Sequence, residues 1–124
     1  MPLKLDTGKD DMEMFFKDWQ VEALRYLWTI QPEGANSRAV WTNVNHRLQG
    51  SISRASIINY LNAMVDDDLL AYTETTGKGG HHRIYYMKHD EAEFKQQIAG
   101  QIITKLLKEY PLETREALTP EVLR

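Results

Sequence analysis

From Asp18 to Met87 the spacing of apolar residues changes character once. Three successive segments carry them at helical intervals, and then two β-prone runs meet at Gly77-Lys78-Gly79-Gly80. The first segment places Trp19, Val21, Ala23, Leu24, Leu27, Trp28 and Ile30 on one side, with Asp18 as its expected N-cap and Gln31-Pro32-Glu33-Gly34 as its stop. Trp19 and Trp28 are bulky enough to belong to the core of a small domain. The second segment opens at Asn36 or Ser37, carries Ala39, Val40, Val44 and Leu48, and ends at Gln49-Gly50. The third is capped by Ser53 and sets Ile57, Ile58, Leu61, Met64 and Val65 on one stripe, with Arg54, Ser56 and Asn59 on or beside the polar side and Asn62 further along. It finishes in Asp66-Asp67-Asp68, acids where the helix dipole favours cations.

The β-prone runs, Ala71 to Thr75 and His81 to Met87, read as a hairpin. Asp90 and Glu93 form a capping-box pattern opening a long last helix to about Tyr110, stopped by Pro111, and the tail from Leu112 to Arg124 shows no assignable pattern. The expected organisation is an amino-terminal segment over 1–17, a winged helix-turn-helix domain over 18–89, and a carboxy-terminal dimerisation helix with tail over 90–124. The class is mainly α, of the α+β kind: two helices joined by a tight turn at Leu48-Gln49-Gly50-Ser51-Ile52-Ser53, followed by a two-stranded wing. The last helix motivates the dimer. Phe94, Ile98, Ala99, Ile102, Ile103, Leu106, Leu107 and Tyr110 sweep roughly 200°, against about 100° for a helix that covers only its own domain. Phe94, Ile98, Ile102, Ile103, Leu106, Leu107 and Tyr110 are therefore expected at an interface with a second copy.

Composition narrows the chemistry. A chain of 124 residues, 42% hydrophobic and free of cysteine, has the size of one domain with its own core. It excludes cysteine-ligated zinc, thiol redox chemistry and cysteine nucleophiles. No stretch is apolar enough to span a bilayer and no signal-peptide plan opens the chain, so a cytoplasmic protein without membrane contact is expected. No convergent acid–base pair or activated nucleophile is visible, so an enzyme is not expected, and no cofactor is implied. His81, His82, His89 and His46 raise the question of a metal. Adjacent histidines on a strand point to opposite faces, however, and no metal site is expected.

The formal net charge of −3 is unevenly spread. Between Ser37 and Ile58 lie Arg38, Arg47 and Arg54 without an acid, and between Thr75 and His89 lie Lys78, Arg83 and Lys88, again without one. Such blocks can attract phosphate on an acidic molecule, because exposed charges act within a Debye length of about 8–10 Å. A helix fits the major groove and its amino-terminal residues reach base edges. Arg38, Ser53, Arg54, Ala55, Ser56 and Asn59 are thus expected to meet double-stranded DNA, with Lys78, His81, His82 and Arg83 of the wing along the backbone or in the minor groove. The glycine-rich tip is no nucleotide-phosphate loop, because it joins two strands rather than a strand and a helix.

Asp18-Trp19-Gln20-Val21-Glu22-Ala23-Leu24-Arg25-Tyr26-Leu27-Trp28 resembles the opening helix of the penicillinase-repressor (BlaI/MecI/CopY) regulators. Ser53-Arg54-Ala55-Ser56-Ile57 resembles the start of their recognition helix, followed by Leu61 and Met64, by Leu69-Leu70 before the wing, and by Arg83 to Tyr86 on its return strand. The longer glycine-rich wing resembles that of the MarR group. The resemblance, over about Asp18 to Lys88, implies a homodimeric repressor on a palindromic operator, with Arg54, Ala55, Ser56 and Asn59 at the DNA. Copper sensing through a carboxy-terminal cysteine motif is excluded. The rival readings are a winged-helix protein-interaction module and a ligand- or metal-gated regulator; the effector is unknown.

Overall fold

In the computed structural model, which describes residues 3–77 and 80–121, the chain divides into two compact units, Met1–Glu91 and Ala92–Arg124. The first holds helices α1 (Asp18–Thr29), α2 (Ser37–Leu48) and α3 (Arg54–Asp66), then strands β1 (Leu70–Gly77) and β2 (Gly80–Met87). The strands pair antiparallel from Leu70 opposite Met87 to Gly77 opposite Gly80. Leu24 and Leu27 of α1, Val40 and Val44 of α2, and Ile57, Leu61 and Met64 of α3 are fully buried, joined by Leu69, Leu70, Tyr85 and Met87 at the base of the hairpin. Each such side chain contributes about 1.5–3 kcal/mol through burial. This is a winged helix-turn-helix, mostly helical, as its element order implies.

Three features depart from expectation. The N-cap of α1 is Lys17, not Asp18: the Gln20 side chain reaches back to accept the Lys17 N–H at 2.8 Å, and Asp18 sits in the first turn, where its charge suits the helix dipole. Trp19 and Trp28 are only half-buried, and the Trp28 indole donates to the His89 carbonyl, 3.0 Å away. The amino-terminal segment belongs to the core. A 3-10 turn at Asp11–Met14 buries Met12, and the buried Phe16 meets Tyr60 of α3 edge-on, as does Trp19 at 5.3 Å between centroids.

Ala35 adds a one-residue third strand, exchanging backbone hydrogen bonds with Tyr85 of 2.9 and 2.8 Å. Gly34 makes that approach possible: at φ +75° it occupies the left-handed region, and a Cβ there would stand 2.5 Å from the Tyr85 carbonyl oxygen. The end of α3 also finds its counter-charge. Asp68, at φ 64°, pairs with Lys88 beyond β2.

The second unit contains most of α4 (Glu91–Glu109) and all of α5 (Pro111–Ala117). Pro111 ends one helix and opens the next, since a proline lacks only an N–H that the first turn leaves unpaired anyway. The buried Thr114 ties the two, donating from Oγ1 to the Leu106 carbonyl at 3.0 Å. Among the described residues no helix is long and apolar enough to cross a membrane.

Candidate nucleic-acid interface

The turn between α2 and α3 is held by side chains on α2. The Asn45 amide donates to the Ile52 carbonyl at 3.0 Å while its Oδ1 accepts the Ile52 N–H at 2.7 Å, a two-way clamp across the loop. Trp41 Nε1 donates to the same carbonyl at 2.7 Å. At the end of α2, Gln49 takes the left-handed conformation at φ 49°, and the Gly50 N–H reaches the Asn45 carbonyl. The direction in which α3 leaves the turn is therefore set by hydrogen bonds, not only by packing.

At the start of α3, Ser53 Oγ accepts the Ser56 N–H at 3.1 Å and bonds Ser56 Oγ at 2.9 Å, so Ser53 acts chiefly as the cap. Arg54, Ala55, Ser56 and Asn59 are exposed together on the amino-terminal half of the helix. Arg38 is exposed on the first turn of α2, beside an acid-free open groove lined by Tyr26, Asn36, Ala39, Thr42, Asn43 and His46. The guanidinium groups of Arg38 and Arg54 have no partner among the described residues. Arg47 stands 3.8 Å from Glu22.

In the wing, His81 and His82 are exposed opposite Thr76 and Thr75, and Lys78 lies outside the described residues. Arg83 is committed inward. Its Nη1 donates to Asn62 Oδ1 of α3 at 3.0 Å, and its guanidinium lies 4.0 Å over the Tyr72 ring. The charge pattern flags the residue, but the strand register decides where it points. Burial raises the Tyr85 hydroxyl above its ordinary range, against the pull of Arg83, so it stays protonated and donates to the same Asn62 oxygen. Sequence reasoning missed the roles of Asn45, Trp41 and Asn62. An asparagine within a helical run, next to a turn, is the only signal it offers.

On α4, Phe94 and Ile98 are buried within the single chain. Ile102 and Leu107 are half-buried, while Ile103, Leu106 and Tyr110 are 38%, 40% and 59% exposed.

No protein-family model matches the chain, and no curated protein matches it in sequence. Among solved structures it is similar to a "possible transcriptional regulator" from Methanosarcina mazei Go1, with a TM-score of 0.59 and 10% identity over 84% of this chain and 81% of the other. At that identity the likeness shows a shared fold.

Proposed function

We propose that this chain is a sequence-specific DNA-binding transcriptional regulator, a homodimeric repressor that reads a palindromic operator in the cytoplasm. The observation carrying this reading is the exposed, acid-free start of α3, where Arg54, Ser56 and Asn59 face solvent beyond a turn locked by Asn45 and Trp41. In the proposed complex α3 enters the major groove, Asn59 and Arg54 meet base edges, Arg38 meets phosphate, and the wing lies along the backbone or in the minor groove. The similar fold of the Methanosarcina mazei protein, itself described as a possible transcriptional regulator, supports the regulatory role. The resemblance of α1 and α3 to the penicillinase-repressor family supports the repressor plan. The second copy is proposed to cover Ile102, Ile103, Leu106, Leu107 and Tyr110.

The test is fluorescence anisotropy on the DNA upstream of the protein's own gene and on a random duplex of equal length, across a salt series. Tight binding with a specificity ratio above about 10³ is expected. Asn59→Ala is expected to reduce specific binding by about 1–3 kcal/mol, while Arg38→Ala weakens all duplexes alike and lowers the salt slope by about one. Sedimentation at micromolar concentration should give a dimer. Equal losses on both duplexes for both variants, or a monomer, would refute the corresponding part. Absence of binding at low salt would favour a protein-interaction module on the same scaffold.

A further inference from the structure

On the side of α3 opposite the buried Ile57, Leu61 and Met64 stand positions 55, 59, 62 and 66, of which 55, 59 and 66 are exposed and 62 is half-buried against β2. Ala55 and Asn59 hold the first two places and Asp66, an acid that phosphate would avoid, holds the last. The third is Asn62, whose Oδ1 accepts from Arg83 Nη1 at 3.0 Å and from the Tyr85 hydroxyl at 2.5 Å. A carbonyl oxygen has two lone pairs, so this acceptor is filled. Arg83 also fixes which way the amide faces: a guanidinium has donors only, and turning Asn62 over would set N–H against N–H. What remains is Nδ2, a pair of donors with no partner among the described residues.

Asn59 differs in this respect. Its amide has no partner within the described residues, so it keeps both donor and acceptor and can take adenine in the two-bond manner of asparagine. Asn62 lies three residues on, about 4.5 Å along the axis, close to one base-pair step of about 3.4 Å. The pair therefore addresses neighbouring base pairs with different codes.

Building on the DNA-reading function proposed above, we infer that Asn62 is a specificity-determining residue that selects a keto base, guanine or thymine, beside the base pair met by Asn59. In the major groove guanine O6 and thymine O4 are acceptors that Nδ2 can satisfy. Cytosine N4 carries a donor that would oppose it, and adenine offers only N7 beside an opposing N6 donor, so adenine is disfavoured less strongly than cytosine. Arg83 and Tyr85 act as positioning residues: by filling Oδ1 they close off the adenine pairing that a free asparagine would make.

The experiment is selection from randomised duplexes by the full chain, sequencing the bound pool for the wild type and for Asn62→Asp. Aspartate keeps oxygens for Arg83 and Tyr85 and removes the donors. The wild type is expected to enrich guanine or thymine over adenine and cytosine by roughly fivefold or more at one position. In Asn62→Asp that preference should vanish or reverse toward cytosine, with the other positions of the motif retained. The added negative charge weakens all binding, so the base ratios within each pool are the readout. Arg83→Met is the second variant, serving also should Asn62→Asp not fold. It returns a lone pair to Oδ1 and should admit adenine at the same position. A wild-type motif that both variants leave unchanged at every position would assign Asn62 to wing anchoring alone and overturn the inference. A wild type that enriches no motif would overturn the DNA reading itself, a failure distinguishable because it precedes any variant.

Discussion

Removing the Asn45 amide should loosen the turn that aims α3. Asn45→Ala deletes the bonds to the Ile52 carbonyl at 3.0 Å, to the Trp41 carbonyl at 3.1 Å, and from the Ile52 N–H at 2.7 Å. The Ile52 carbonyl keeps Trp41 Nε1 as a partner, but the Ile52 N–H, half sheltered, is left unpaired. Three bonds at about 0.5–1.5 kcal/mol each span about 1.5–4.5 kcal/mol, and because the Ile52 carbonyl keeps Trp41 Nε1 the lower part of that range, about 2–3 kcal/mol, applies. Alanine returns about 0.5 kcal/mol through its higher helix propensity. The net expectation is about 2 kcal/mol, a substantial part of the roughly 5–15 kcal/mol that holds a domain together. For a chain of this size it corresponds to a fall in Tm of about 8 °C. Thermal and urea melts measure it. Asn45→Asp, which retains the acceptor for Ile52 but places a carboxylate near two carbonyl oxygens, should cost at least as much. Because Trp41 and Asn45 share the Ile52 carbonyl, the pair Asn45→Ala and Trp41→Phe should be non-additive in a double-mutant cycle. A loss below about 0.5 kcal/mol for Asn45→Ala would refute the claim that this clamp, and not packing alone, holds the turn.

Two further outcomes follow from the backbone and from charge. Gln49 occupies the left-handed region at φ 49° with an ordinary side chain, so Gln49→Gly should stabilise the protein by about 0.5–1 kcal/mol in urea melts, and a neutral or destabilising result would show that the side chain compensates the strain. The hydrogen bond and charge of Lys88 lower the Asp68 carboxyl below its ordinary value. The folded value is therefore below the unfolded one. This contribution to stability is complete above the unfolded carboxylate pKa, about 3.9, and is lost as pH falls through the folded value. Asp68→Asn, which suits the same left-handed backbone, should lower Tm at neutral pH and converge with the wild type in acid. A difference in Tm that persists unchanged in acid would show that Lys88 is not its source.

The features legible from residue order were those written in periodicity. Helical intervals located α1 to α3, two β-prone runs around the glycine-rich turn at 77–80 located the hairpin, and a serine before a polar first turn marked the cap at Ser53. Features written in pairing across distance were not legible. Met12 and Phe16 lie in a stretch with no period, so nothing local distinguishes a core strap from a solvated leader. Pro111 carries the same local signature whether it stops a helix or starts one. The candidate site shows the limit most clearly. Counting charges gives Arg54 and Arg83 equal standing, yet one guanidinium is without a partner among the described residues at a helix start and the other is committed to Asn62 and Tyr72. The difference lies in the register of β2, which sets Arg83 opposite Glu74 and within reach of α3. A basic block therefore overstates the number of guanidinium groups free to reach phosphate, although Arg83, held by neutral partners, keeps its charge. In the proposed interface that commitment has a use: by filling a lone pair on Asn62 Oδ1, Arg83 changes what that amide can recognise without touching the ligand itself.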